Sequence, residues 1–138
     1  MRVEFRDIEF AFDFVSSGQM HTHQAFLNKE TGKIYWHSEY GDNEEELPED
    51  LDDDKYIEIP HKNELDLAKK LVFDFVYQYL PNEIGKVENF FRRKGAYGKF
   101  RNLIERKDVL DKWYQYRDQA HDVALRAWCK NNNIEIKG

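Results

Sequence analysis

Hydrophobic positions change their spacing twice along this chain of 138 residues. The first stripe has the spacing of a helix and comprises Ile8, Ala11, Phe12 and Val15. It predicts a helix that Asp7 caps and that ends near Ser16, with a candidate strand over residues 3–5 before it. Phe10 and Phe14 lie off the stripe, which predicts that this helix is buried on more than one side.

Between residues 20 and 40 the hydrophobic period becomes two, which is typical of strands. Residues 28–32 predict a hairpin turn, because Gly32 can adopt the positive φ that a short loop needs. Pairing of Asn28 with Lys33 sets the register and makes the facing pairs Leu27 with Ile34 and Ala25 with Trp36. Residues 56–59 predict a third strand, which Pro60 stops.

The rest of the chain has helical periodicity. The candidate N-caps are Asn63, Asn82 and Asp108, and the breaks between helices are Pro81 and Gly95. Together these elements predict an α+β fold with an N-terminal helix, a small antiparallel sheet at about residues 20–59 and a C-terminal helical bundle at about residues 63–132. A chain of this length fits one domain, residues 1–138.

The net charge of −6 is distributed unevenly. Residues 1–85 hold 8 Lys+Arg and 20 Asp+Glu, whereas residues 86–138 hold 13 Lys+Arg and 7 Asp+Glu. Much of the acidic excess lies in one segment, which comprises Asp42, Glu44, Glu45, Glu46, Glu49, Asp50, Asp52, Asp53 and Asp54. We interpret this acidic segment, residues 42–54, as a solvated loop. An alternative is that the loop touches the basic half of the chain and shields it from a partner.

Composition excludes several classes of protein. No apolar run approaches the ~20 residues that cross a bilayer, so we expect no membrane partner. Residues 1–7 are charged and contain no apolar signal segment. The single cysteine, Cys129, excludes an internal disulfide and a Cys-based zinc site. We expect a cytoplasmic protein, and the sequence predicts no cofactor and no catalytic residue.

Two histidines, His21 and His23, have the spacing that places two imidazoles on one side of a strand, as in some metal sites. The hairpin register puts His37 on the opposite face, so a third nitrogen ligand is missing. We therefore predict no metal site, with His21 and His23 as weak candidates, and interpret them as polar residues where the apolar face of the hairpin ends. A calcium loop that begins at Asp50 is excluded, because Lys55 occupies the position of its required glycine.

The strongest candidate site is a basic stretch that contains Lys86, Arg92, Arg93, Lys94, Lys99, Arg101, Arg106 and Lys107. Gly95 and Gly98 allow a tight turn, and the N-terminus of the following helix can receive an anion. The residues predicted to hold an anionic partner are Arg92, Arg93, Lys99 and Arg101, with Tyr97 able to stack on a base. The alternative, which the sequence favours, is a corner between two helices whose cations pair with the acidic half. The acidic pI, near 5.4, argues against strong nonspecific binding of nucleic acid.

The C-terminal half carries a pattern of glycine and aromatic residues: Gly95-Ala96-Tyr97-x-x-Phe100, Trp113-Tyr114-x-Tyr116, Trp128 and Asn133-Ile134. This pattern resembles a bacterial family of uncharacterised proteins, in which the motifs are Gly-Ala-Phe-x-x-Phe, Trp-Tyr-x-Phe, a Trp and a final Gly-Ile. The chain departs from it at Tyr97, Tyr116 and Asn133, and at Gly98, where the family often has arginine. The resemblance implies a fold and a bacterial origin but no activity and no catalytic residues.

Function is therefore unknown from the sequence, and three classes stay open. The first is a small noncatalytic binding or adaptor protein that contacts an anionic partner, either an acidic protein segment or an RNA, through residues 92–101. The second is an inhibitor or immunity-type protein that binds a basic partner through the acidic segment. The third is an enzyme of unrecognised type, which needs a concave pocket with converging polar groups. The sequence does not indicate an oligomeric state.

Overall fold

The computed structural model describes residues 2–41, 43 and 45–138. Their fold is α+β, as predicted, with five α-helices, a three-stranded antiparallel sheet and a two-stranded parallel sheet among the described residues. The chain forms two compact units, one of residues up to 65 together with 124–138, and one of residues 66–123. We call them the first and the second unit and describe each by itself. The expectation of a single domain stays a prediction.

The first unit contains the five strands of the described residues. In chain order its elements are β1 (Arg2–Glu4), α1 (Phe5–Ser16), β2 (His23–Asn28), β3 (Ile34–Ser38), β4 (Tyr56–Glu58), a 3-10 turn (Lys62–Leu65) and β5 (Glu135–Lys137). In the larger sheet β2 lies between β3 and β4 and is antiparallel to both. In the smaller sheet β1 pairs in parallel with β5, a pairing that periodicity alone did not predict.

The predicted register of the hairpin is confirmed. Leu27 pairs with Ile34 and Ala25 with Trp36. The turn forms because the Asn28 side chain accepts hydrogen bonds from the backbone N–H groups of residues 30 and 31, at 2.9 and 3.3 Å. Gly32 then takes a φ of 80° and closes the loop. Turn chemistry and the apolar face of β2 therefore specify the same register.

Helix α1 begins at Phe5, two residues before the predicted Asp7 cap, which is wrong. Glu4 occupies the N-cap position and makes no side-chain capping bond, because strand β1 runs directly into the helix. The predicted stripe is buried, but Phe10 is 60% exposed, so the helix buries one face and not several. Phe14 packs edge-on against Trp36 of the hairpin, with ring centroids 5.2 Å apart.

A buried histidine, His61, links the turn between α1 and β2 to the 3-10 turn Lys62–Leu65. His61 is 3% exposed, and its Nδ1 accepts a hydrogen bond from the backbone N–H of Asn63 at 3.0 Å. Its Nε2 must therefore carry the proton that it donates to the carbonyl oxygen of Gly18, at 2.7 Å. The backbone N–H of Lys62 also donates to the Ser16 hydroxyl at 3.0 Å. These bonds hold a neutral imidazole in place, a role that hydrophobic patterning cannot show.

The second unit is helical. It contains α2 (Lys69–Tyr79), a 3-10 turn (Pro81–Glu83), α3 (Ile84–Phe90), α4 (Ala96–Arg106) and the first part of α5 (Leu110–Asn131). Its buried core comprises Val72, Phe75, Val76, Val87, Phe100, Leu103 and Ile104. None of the helices in the described part of the chain is long and apolar enough to cross a bilayer.

All three N-caps predicted for this half of the chain are wrong. Asn63 lies inside a 3-10 turn, and Asp66 after that turn has a φ of 56°, so α2 starts only at Lys69. Asn82 lies inside the second 3-10 turn, before α3. Asp108 precedes α5 but has a φ of 57°, which is left-handed and unlike the extended backbone of an N-cap.

Asp108 instead ends α4 as a Schellman motif. The N–H of Val109 donates to the carbonyl of Ile104 at 3.0 Å, and the N–H of Asp108 donates to that of Glu105 at 3.2 Å. The same motif ends α5, where Asn133 has a φ of 58° and the N–H of Ile134 bonds to the carbonyl of Cys129 at 2.9 Å. Glycine and asparagine are the residues that tolerate this conformation best, which explains how Asn133 can stand where the resembling family has glycine.

Exchange of Asp108 for glycine tests whether this residue ends α4 in a Schellman motif or caps the N-terminus of α5. We expect Asp108→Gly to raise the free energy of unfolding by about 1 kcal/mol, because glycine adopts positive φ without the steric cost of a side chain. The same change in the first turn of α5, Asp111→Gly, should lower it by about 1 kcal/mol. Urea unfolding measures both. A loss of stability in Asp108→Gly would contradict the Schellman assignment.

Cys129 should be chemically inert in the folded protein. The side chain is 1% exposed, and burial raises the pKa of its thiol to about 11. At pH 8 only about one thiol in a thousand is then the reactive thiolate. An aromatic disulfide reagent should therefore label native protein far more slowly than protein in guanidinium. Because the unfolded thiol has a pKa of about 8.5, stability should fall as pH rises above about 9. Equal labelling rates would contradict this assignment.

Candidate anion-binding site

The basic corner, residues 92–101, joins α3 to α4. Helix α3 ends at Phe90, and Gly95 then takes a φ of 80° that reverses the chain into α4. The first helical bond of α4 runs from the N–H of Lys99 to the carbonyl of Gly95, at 3.1 Å. The N–H groups of residues 96–98 precede this bond, and Gly95 has no side chain to cap them. The corner therefore presents backbone donors at the positive end of a helix.

Three of the eight cations in this region already form ion pairs, with two carboxylates between them. Glu83 binds Lys107 at 3.2 Å and Lys86 at 3.6 Å, and these contacts, chiefly that with Lys107, hold the pKa of the Glu83 carboxyl below its ordinary value. Arg101 donates from Nε to Glu105 one turn later, at 3.0 Å, and this bond raises the pKa of its guanidinium. Local carboxylates therefore pair with the cations at the two ends of the basic stretch, Lys86 and Lys107, and with Arg101 inside the corner.

Four cations remain exposed at the corner. Arg92, Arg93, Lys94 and Lys99 have neither an ion pair nor a side-chain hydrogen bond within the described residues. Arg106 donates from Nε only to the backbone carbonyl of Asn102, at 3.4 Å. Of the predicted binding residues, Arg92, Arg93 and Lys99 are thus available to a ligand, whereas Arg101 is held by Glu105.

Tyr97 is the exposed end of a row of rings that we call the aromatic ledge: Phe73, Phe91 and Tyr97. The ring of Tyr97 packs edge-on with Phe91 at 5.2 Å between centroids, and Phe91 lies 5.4 Å from Phe73. Tyr97 remains 49% exposed, and partial burial raises the pKa of its phenol, so the ring stays neutral at physiological pH. Lys69 places its Nζ 5.8 Å from the Phe73 centroid and 5.7 Å from that of Phe91.

An open depression of about 480 Å³ lies beside α4. Its lining comprises Phe90, Lys99, Asn102, Glu105 and Arg106. Lys99 is thus shared by the basic corner and by this depression. Because the depression is shallow and mixed in charge, it suits a segment lying across the surface better than an enclosed small molecule.

Three other aromatic residues of the C-terminal pattern, Phe100, Trp113 and Tyr116, pack in the core of the second unit. Phe75 lies at its centre, with ring centroids 5.2 Å from Trp113, 5.4 Å from Tyr116 and 6.4 Å from Phe100. The ring centroid of Trp113 also lies 5.1 Å from that of Phe100, which joins α5 to α4. Tyr114 points elsewhere and lies under the guanidinium of Arg117, at 4.9 Å.

The two candidate histidines do not share a strand face, so that prediction is wrong. His21 lies in the turn before β2 with a φ of 70°, which takes it out of the strand alternation. The ring of His23 lies 4.9 Å from that of Phe14 and 5.8 Å from that of Tyr40. Its Nδ1 is buried without a hydrogen-bond partner, and in the described part of the chain no three His, Cys, Asp or Glu residues cluster as metal ligands.

The described part of the acidic segment forms turns and bends, as predicted for a loop. Asp42 and Glu44 lie outside the described residues. Asp50 binds Lys55 at 2.9 Å and accepts a hydrogen bond from the Tyr56 hydroxyl at 3.2 Å, and these contacts, chiefly that with Lys55, lower the pKa of its carboxyl. Glu45 binds Lys33 at 3.1 Å. Part of the acidic charge is therefore neutralised inside the first unit.

The comparisons with known proteins give a family but no activity. Neither a curated protein nor a solved structure matches this chain. One family matches, the Uncharacterised protein family (UPF0158), over residues 7–137. That span contains both units almost entirely, and it confirms the resemblance to an uncharacterised family. The chain therefore belongs to the uncharacterised protein family UPF0158.

Proposed function

We propose that the protein is a small noncatalytic binding module that holds an anionic partner at its basic corner. We also propose that it works in the cytoplasm of a bacterium, as its C-terminal motifs and its single cysteine suggest. The observation that carries the proposal is the set of exposed cations at residues 92, 93, 94 and 99, which have no ion pair within the described residues. Four such charges within eight residues repel one another, and an anionic partner would relieve that repulsion.

The backbone supports the same function. The uncapped N–H groups at the start of α4 lie in the same stretch of chain as these cations. A partner with phosphate or carboxylate groups gains from both, because a helix N-terminus favours negative charge. Arg101 contributes less in this proposal, since Glu105 already accepts its hydrogen bond.

The acidic segment ranks second as a binding surface. Glu45 and Asp50 have lysine partners within the first unit, so a basic partner would have to compete with Lys33 and Lys55 for them. These pairs are exposed, and their individual strength is small. We therefore keep the inhibitor or immunity-type function as the alternative to the basic corner.

Charge reversal at the corner tests the proposal. Arg93→Glu should weaken binding of long-chain inorganic polyphosphate about tenfold or more, because it removes a contact to a charged group and adds repulsion. Lys70→Glu makes the same change of charge in the same unit, at a lysine that is paired with Asp74, and should have a much smaller effect. Isothermal titration calorimetry at low and high salt gives both affinities.

Circular dichroism should show that both variants remain folded, since both side chains are exposed. The wild-type affinity should fall steeply with added salt. Equal losses in Arg93→Glu and Lys70→Glu would contradict a local site and leave only a general effect of net charge. Absence of polyphosphate binding by the wild type would overturn the proposed function.

A further inference from the structure

We infer that the anionic partner is a single-stranded nucleic acid and that Tyr97 stacks on one of its bases, an inference that rests on the proposed function. The aromatic ledge lies in the second unit together with the basic corner. The second unit holds 12 Lys+Arg against 9 Asp+Glu, so its own charge is positive although the whole chain is acidic. The acidic pI of the chain is therefore a poor guide to this surface.

The exposed ring of Tyr97 favours a nucleic acid over an acidic peptide as the anionic partner. A carboxylate gains nothing from an aromatic face, which carries negative charge density. A nucleobase gains about 1–3 kcal/mol by stacking on such a ring, and it does so regardless of its identity. Tyr97 follows the cations at residues 92–94 in the chain and precedes Lys99, so ring surface and phosphate-binding charge belong to one short stretch.

The ledge holds the ring of Tyr97 in place. Phe91 packs edge-on against Tyr97, with the ring planes at 86°, and Phe73 lies 5.4 Å from Phe91; both phenylalanines are half-buried. Lys69 adds a cation above these two rings. Bases inside a duplex are already stacked and cannot reach the ring of Tyr97, whereas an unpaired strand can turn a base onto it. Rings and cations together therefore favour a single strand.

Gly98 allows a close approach to the backbone at the same place. It lies in the first turn of α4, where a side chain would meet no atom within 4 Å, so packing does not require glycine. Glycine in a helix costs about 0.5–1 kcal/mol relative to alanine. Gly85 of α3 is equally open, but the lysine beside it, Lys86, is paired with Glu83. Gly85 therefore serves as a matched control without a binding role.

Fluorescence anisotropy with a labelled oligouridylate of about 12 nucleotides tests the inference, since single-strand sites span about 4–16 nucleotides. Tyr97→Ala should weaken binding roughly 5-fold to 150-fold, and Tyr97→Phe should retain most of the affinity, because stacking needs the ring. Polyphosphate, which has no bases, should bind Tyr97→Ala as it binds the wild type. Tyr77→Ala is the control, since this tyrosine of the same unit is 62% exposed and lies outside the ledge.

The glycine pair gives a readout that does not depend on an aromatic ring. Gly98→Ala and Gly85→Ala should both stabilise their helices by about the same amount. Only Gly98→Ala should weaken binding of oligouridylate, because only there would the new methyl group meet the bound strand. Equal affinities in the two variants would contradict close approach of the strand to α4.

Two outcomes separate this inference from the proposed function. If Tyr97→Ala binds oligouridylate as tightly as Tyr77→Ala does, or if a polyglutamate peptide of equal charge binds as well as oligouridylate, the nucleic-acid inference is wrong. The basic corner would then stand as a site for an acidic protein, provided that Arg93→Glu still weakens polyphosphate binding. If no polyanion binds the wild type, the proposed function and the inference fall together.

Discussion

Burial of Phe75 is the constraint on which the helical unit depends. Its ring touches Trp113, Tyr116 and Phe100, and no part of it reaches solvent. Helices α2, α4 and α5 therefore meet around one side chain, and truncation of a buried phenylalanine commonly costs 3–5 kcal/mol. This requirement accounts for Phe100, Trp113 and Tyr116 of the aromatic pattern in the C-terminal half. Those residues are needed for packing, and their presence says nothing about a ligand.

The cations and the exposed ring that do not take part in packing lie at the basic corner, between α3 and α4. Glu83 and Glu105 form ion pairs with three cations of the basic stretch, and four others have no partner in the described residues. Among the aromatic residues of the C-terminal pattern, Tyr97 alone is exposed. In the isolated protein these cations repel one another, and the ring of Tyr97 is partly exposed to water. Both features are energetically unfavourable. An anionic partner with flat apolar groups would offset both.

The sequence predicted the fold where two kinds of signal agreed. The hairpin was placed correctly because the Asn28–Gly32 turn and the apolar face of β2 require the same register. The start of α5 was placed wrongly because aspartate favours both N-caps and left-handed backbone, and composition does not distinguish these conformations. Asp108 illustrates this ambiguity. The corner itself was visible in the sequence, but the pairing of Arg101 with Glu105 and of Lys107 with Glu83 depends on three-dimensional placement.

The most direct measurement of the central claim is a titration of ¹⁵N-labelled protein with oligouridylate, followed by backbone amide chemical shifts. The account predicts that the largest changes fall on the amides of residues 92–99, including the uncapped N–H groups at the start of α4. The amides around Glu45 and Asp50 should remain unchanged. Changes confined to the acidic segment, or spread evenly over the chain, would contradict a binding site at the basic corner.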